Sequence, residues 1–299
     1  MAYQDSMHTT AAAQPLPRVR KITTRDLFDA LAKGFDDFKA MPTHALFVGL
    51  IYPIAGLIIA IAASGTNLLW LIYPMATGFA LIGPVAAIGL YELSRRREQG
   101  LDTNWSHAFD LLQADSFRSI AALGLVLLLL FAVWIAVAQT IYWIYFGYAV
   151  PESIDDFVRQ VLTTAAGHRM ILIGNAVGFL FALVAFAVSA VAFPLLIDRQ
   201  IGAAAAAATS IRAVLRNPVT MALWGLIVAA ALLLGSLPFF VGLAVVVPVL
   251  GHATWHLYRK VVVPDLVPRE AHEPPPGTPR YAADFPSVLF TGWGRRPQA

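Results

Sequence analysis

The residues of this chain whose types and spacing could do chemistry are few, and most lie at the ends of long uncharged runs. His252 and His256 are four residues apart, on one helical face, with Trp255 and Tyr258 beside them. Two imidazoles at that spacing can ligate one metal ion, or one of them a haem iron, and His44 and His107 fall on the same side of the membrane by the topology below. The competing reading is an interfacial belt of aromatics and imidazoles, because His252 lies only about 10 Å along a helix from Arg259. Glu92 and Asp198 end two other apolar runs in the same way. If the three runs converge, Glu92, Asp198, His252 and His256 form a mouth at helix C-termini that favour cations, able to bind one or to pass protons. If the runs splay, each is an ordinary interfacial residue.

Nothing else points to catalysis. The chain has no His-Glu-x-x-His motif, glycine-rich phosphate loop or nucleophile elbow, and without cysteine it has no disulfide or thiolate ligand. No Asp, Glu, Lys or Arg falls within any apolar run, whereas coupled carriers usually keep such groups at mid-membrane. The expectation is a protein that is not an enzyme and has no cofactor, with metal or haem binding kept as an alternative. Within the runs the notable polar group is Asn175, in Gly174-Asn-Ala-Val-Gly178. A Gly-x-x-x-Gly spacing lets another helix approach closely and the amide can hydrogen-bond across the contact, so packing is the expected role, ahead of a substrate contact. Gln139 and Thr140 are weaker cases of the same kind.

The elements that must position these residues follow from composition. Hydrophobic residues make up 58% of the chain and charged residues 13%, against about 25% charged in soluble domains. Mean hydropathy is +0.67 and the pI about 9.3. The basic residues sit at the ends of runs and not on one face, which argues for topology and against a nucleic-acid partner. The runs give six transmembrane helices, at 45–63, 68–91, 120–147, 170–197, 219–235 and 237–257. The uncharged stretch 219–257 would reach about 58 Å as one helix, nearly twice a hydrocarbon core of about 30 Å, so it must cross twice, with Gly235-Ser-Leu-Pro238 as the turn.

Amphipathic surface helices precede spans one, three and five. The first starts at the capping-box spacing Thr23 to Asp26 and sets Leu27, Phe28, Leu31, Phe35 and Phe38 opposite Lys33, Asp36, Asp37 and Lys39. In the second, Asp102 or Thr103 can cap a stripe of Trp105, Ala108, Phe109 and Leu112. In the third, Ala203 to Ala208 leads to Ile211, Val214 and Leu215 against Arg212 and Arg216, ended by Asn217-Pro218. Between spans three and four, Ser153 to Asp156 can cap a helix bearing Ile154, Phe157, Val158, Val161 and Leu162. Residues 1–22 read as a disordered tail. Residues 263–299 read as a proline-rich flexible tail that offers a possible protein partner a docking segment at Phe285 to Trp293.

Charge fixes orientation. Six Lys and Arg residues precede span one, four lie between spans two and three, three between spans four and five and six follow span six, whereas the opposite side holds only Arg159 and Arg169. Under the positive-inside bias both termini are cytoplasmic, with Arg95, Arg96 and Arg97 as the sharpest topology anchors. Surface helix plus two spans then recurs three times, with Pro84, Pro194 and Pro248 each near the cytoplasmic end of the second span. The fold class is an all-α membrane protein of three hairpins.

The stretches LIYPIAGLIIA, GFALIGPVAAIGLYELSRRREQGLDTNWSHAF and SLPFFVGLAVVVPVLGHATWHLYRKVV resemble an uncharacterised family of bacterial integral membrane proteins, domain of unknown function 2189. The resemblance runs through about residues 25–262 and implies a multi-pass protein of the bacterial cytoplasmic membrane, in contact with the lipid bilayer. It carries no activity and no catalytic residue. Function stays open between transport or gating of a small solute, a structural or assembly role that recruits partners, and a metal- or haem-binding protein. The topology is checked by fusing reporters that fluoresce only in the cytoplasm: those after Arg97, Arg216 and Lys260 are expected to be active and one at Asp155 silent, and the reverse pattern at Asp155 and Arg216 rejects six spans.

Overall fold

The computed structural model describes residues 16–41, 56, 69–79, 83–148, 153–237 and 241–264. Nearly all of the expected first span (45–63), His44, residues 1–15 and the tail from 265 lie outside the described residues.

Caps and prolines set most helix limits. Helix α1 (Thr24–Ala40) begins at its capping box, where the Thr23 N–H donates to Asp26 Oδ2 at 2.8 Å. Of the helix expected over 68–91, the described residues form α2 (Leu69–Phe79), α3 (Gly83–Ala86) and α4 (Ile88–Glu98), with a turn at Ala87 between the last two. Helix α4 runs on through Arg95, Arg96 and Arg97, so these arginines are helical and do not merely flank a span. The segment expected as a second surface helix is a 3-10 helix, Trp105–Gln113, capped by neither Asp102 nor Thr103 but by Asn104, whose side chain accepts the Ser106 N–H at 3.1 Å.

Helix α5 (Phe117–Phe146) ends at Gly147, whose φ of +67° is costly for a residue with a Cβ. After α6 (Ile154–Thr163), capped by Ser153, comes α7 (Ala165–Ser189). The continuous span expected over 170–197 breaks before α8 (Ala192–Asp198), because Pro194 cannot donate to the Ala190 carbonyl. The Val191 N–H at the break donates to Ser210 Oγ at 3.3 Å, so the interruption leaves it satisfied. Helices α9 (Ala203–Arg216) and α10 (Pro218–Ser236) meet at Asn217-Pro218, with the proline at the first helical position. Helix α11 (Leu243–Val261) starts later than expected and carries Tyr258, Arg259 and Lys260 in its last turn.

Three of these units are long and apolar enough to cross a membrane: Phe117–Phe146, Ala165–Asp198 and Pro218–Ser236. Only 22%, 50% and 17% of their most apolar windows are buried. Leu128, Leu129, Leu172, Phe179, Leu226 and Leu233 all face outward, as side chains in lipid do. The densest core lies at one end, where α1, α4, α8, α9 and the last half of α11 bury Leu27, Leu90, Tyr91, Phe193, Leu195, Ala213, Trp255 and Tyr258 against one another. The helices expected to lie on the bilayer are therefore the walls of a helical cap.

Which face each cap helix buries also departs from the sequence expectation. Helix α1 buries Leu27, Ala30, Gly34 and Asp37, while Phe28 and Phe35 are 61% and 48% exposed. Helix α9 buries Ala206, Thr209, Ser210 and Ala213 and leaves Ile211 and Leu215 outside. In both the small residues pack closely, because they let backbones approach, while Phe28, Phe35, Ile211 and Leu215 are left exposed. At the crossing of α1 with α11 a Cβ on Gly34 would lie 2.5 Å from the Ala253 backbone nitrogen. In the membrane part Trp134 of α5 is wedged between Gly78 of α2 and Gly178 of α7, and its indole N–H donates to the Pro74 carbonyl at 2.9 Å.

Residues 18–22, expected within a disordered tail, are instead hydrogen-bonded to the rest of the fold. Val19 pairs with Val262 in an antiparallel bridge, with Arg20 N–H on the Val261 carbonyl and Val263 N–H on the Arg18 carbonyl, each at 2.9 Å. The Arg20 guanidinium caps the Arg259 and Lys260 carbonyls at the end of α11. Gly34→Leu is expected to lower detergent-phase stability by about 3 kcal/mol through overpacking against backbone. Gly178→Leu is expected to cost more than Gly174→Leu, because a Cβ at Gly178 meets the Trp134 ring at 3.0 Å and one at Gly174 meets no described atom within 4 Å. Thermal melts of the three variants check the order.

Candidate functional site

The close crossing of α1 and α11 brings Asp37 against α4. Asp37 is 5% exposed. Its Oδ2 accepts from Ser94 Oγ at 2.7 Å and from His256 Nε2 at 2.9 Å, and its Oδ1 accepts from Arg97 Nη1. Ser94 Oγ is also 2.7 Å from His252 Nδ1. The hydroxyl has one proton and the carboxylate is an acceptor only, so Ser94 donates to Asp37 and His252 Nδ1–H donates to Ser94. His252 is fully buried, and its Nε2 has no hydrogen-bond partner among the described residues. Burial alone pushes the Asp37 carboxyl up, but the hydrogen bonds from His256 and Ser94 and the His256 charge outweigh it and hold the carboxyl below its ordinary value.

The four expected mouth residues divide between two places. His252 and His256 turn to Asp37 of α1. Glu92 is gripped by Arg95 in a two-pronged pair, Nε to Oε2 and Nη2 to Oε1, both 2.7 Å, with Arg96 Nη1 at 3.9 Å. Asp198 accepts from the Tyr258 hydroxyl and has Arg259 Nη1 at 3.6 Å and Arg199 Nε at 3.8 Å. Glu92 and Asp198 share the wall of a cleft of about 100 Å³, with Arg95, Asp110, Asp115 and Arg199. The ends of α4 and α11 meet through Glu98, which accepts from Trp255 Nε1 at 2.9 Å and Arg259 Nε at 3.0 Å, and α8 joins them through Asp198 on Tyr258 and Arg259. The histidines are not part of the cleft.

The topology anchors Arg95, Arg96 and Arg97 have internal duties, on Glu92, on the Asp102 carbonyl at 2.6 Å and on Asp37 respectively. Asn175 Oδ1 accepts from the Tyr73 hydroxyl of α2 at 2.8 Å, and its amide donates to the Ile171 carbonyl of its own helix. His107 sits between two carboxylates, Asp110 Oδ2 at 2.6 Å and Asp102 Oδ2 at 3.1 Å. Among the described residues no three His, Asp or Glu side chains come together as metal ligands. The sequence reading missed Asp37, Ser94, Glu98 and Tyr258. A signal for Asp37 was present, since Leu27, Ala30, Gly34 and Asp37 form a stripe at helical spacing beside the larger one.

Asp37→Ala leaves Arg97, Ser94 and His256 without their acceptor and is expected to lower stability by about 3 kcal/mol, as for breaking a buried pair. The depressed Asp37 carboxyl contributes stability that is present above its unfolded value of about 3.9 and lost as pH falls through the lower folded value. The gap in melting temperature between the native protein and Asp37→Asn is thus expected to be constant near neutrality and to shrink below about pH 4, which melts across that range check.

Neither the curated proteins nor the solved structures contain a match to this chain. Residues 72–198, from α2 through the broken helix to Asp198, match the model of a family described as a predicted integral membrane protein, domain of unknown function 2189, the family that the sequence resembles.

Proposed function

We propose that this is a non-catalytic protein of the bacterial inner membrane, both termini cytoplasmic, whose helical cap is a rigid platform for assembly with other components and whose spans anchor it. One observation carries this reading: every charged or imidazole group of the expected mouth is already held by a partner within the cap, Glu92 by Arg95, Asp198 by Tyr258 and Arg259, His256 by Asp37 and His252 by Ser94. Such groups rigidify a structure; a passing ion would have to displace cations already paired there. The low burial of the spans supports the same view, since it leaves their sides open to lipid or to neighbouring helices.

A second reading, gating of a small cation or of protons, is favoured by the cleft that Glu92 and Asp198 share. Proteoliposomes separate the two. On the platform reading, potassium and proton leak equals that of protein-free vesicles, and in native membranes the protein migrates in a discrete larger complex that Asp37→Ala, still inserted, disperses. Flux above the protein-free rate that Glu92→Gln abolishes would replace the platform by a gate. A haem-binding role is checked by visible absorption of the purified protein, and a bound metal by elemental analysis.

A further inference from the structure

The cations of the cap are treated in two ways. Arg95, Arg96 and Arg97 of α4 and Arg259 and Lys260 of α11 are all in ion pairs. Lys21, Arg212 and Arg216 are exposed, and their side chains have no ion pair or hydrogen bond among the described residues. The segments that carry them meet at one junction. The Ile22 N–H donates to Asn217 Oδ1 at 2.9 Å, Asn217 Nδ2 donates to the Arg20 carbonyl at 3.1 Å and Thr220 Oγ1 donates to the Ile22 carbonyl at 3.3 Å. This clasp buries Ile22 and Asn217 and sets Lys21 and Arg216, the residues next to them, outward on either side. Arg212 follows one turn earlier on α9, on the same face as Arg216.

Directly beside the cations runs an aliphatic row. Leu215 and Val219 are 73% and 78% exposed, and Ile211 is 37% exposed. Val219 is the second residue of α10, one of the helices long and apolar enough to cross a membrane, so the row stands where the bilayer begins. No Asp or Glu occurs anywhere from Arg199 to Pro264. A stripe of exposed aliphatics at the hydrocarbon edge, with three exposed cations alongside, complements a molecule that has an acyl chain and a phosphate together.

We propose that Lys21, Arg212 and Arg216, with Leu215 and Val219, form a binding site for an anionic phospholipid of the leaflet facing the cap. The arginines take the headgroup phosphate, with the two-pronged geometry that guanidinium offers. Lys21 adds charge from the N-terminal clasp, and Leu215 and Val219 lie along the first carbons of the chains. Since the clasp positions Lys21, a bound lipid also ties the N-terminal segment to the α9–α10 junction.

The test uses the full chain in detergent, by native mass spectrometry and thermal melting, with added phosphatidylglycerol, phosphatidylcholine or inorganic phosphate. The native protein is expected to retain phosphatidylglycerol in preference to phosphatidylcholine and to melt at a higher temperature with it. The preference is expected to fall about five-fold for each cation removed in Lys21→Gln, Arg212→Gln and Arg216→Gln, and to weaken with salt. Arg212→Lys with Arg216→Lys keeps the charge and is expected to retain most of the preference while losing the two-pronged contact. Equal retention of both lipids by the native protein, or a triple variant with undiminished preference, overturns the site. Stabilisation by inorganic phosphate equal to that by phosphatidylglycerol overturns its assignment to a lipid.

Discussion

Everything at the capped end depends on how closely α1 can approach α11. Gly34 has no Cβ, and the space one would fill is taken by the backbone of Ala253. Only at that separation does Asp37 reach Ser94 and His256, and through Ser94 the buried His252. A carboxylate taken out of water is costly unless it is fully hydrogen-bonded, and here both of its oxygens are occupied. The contact and the network support each other: the small residues create the proximity, and the polar groups would be a liability without it.

The division of labour along the long axis follows from the solvent on each side. In the bilayer, association between helices gains nothing from burying one aliphatic in place of another, so close contacts there are built on glycine and an aromatic wedge, as at Gly78, Trp134 and Gly178. Facing water, burial of apolar surface is favourable by roughly 25 cal/mol per Å². The densest core accordingly collects at the capped end, around Leu90, Phe193, Leu196, Trp255 and Tyr258. Pro194 lies where α7 gives way to α8, whose Phe193 and Leu195 pack into the cap.

The anion-facing cations and the paired ones complete the same picture. Within the cap Arg95, Arg97 and Arg259 neutralise carboxylates and hold helix ends together. At the rim Lys21, Arg212 and Arg216 are left without protein partners among the described residues, beside exposed aliphatics. The basic residues at this end are thereby two populations, one paired within the fold and one left exposed.

By itself the sequence determined that this is an all-helical membrane protein and where α1, α6 and α9 begin, because capping spacings, prolines and charge-free runs are local and need no partner. It also determined that Glu92, Asp198, His252 and His256 lie at helix ends. Only the tertiary structure decided what those ends touch. Helix α1 has two apolar sides, one of phenylalanines and one of Leu27, Ala30 and Gly34, and periodicity alone favours the larger. Packing chose the smaller, because close approach needs small residues, and Phe28 and Phe35 stay exposed. That choice turned Asp37 inward, drew the two histidines away from Glu92 and Asp198, and made surface helices into walls, none of which is encoded in the spacing of any single element.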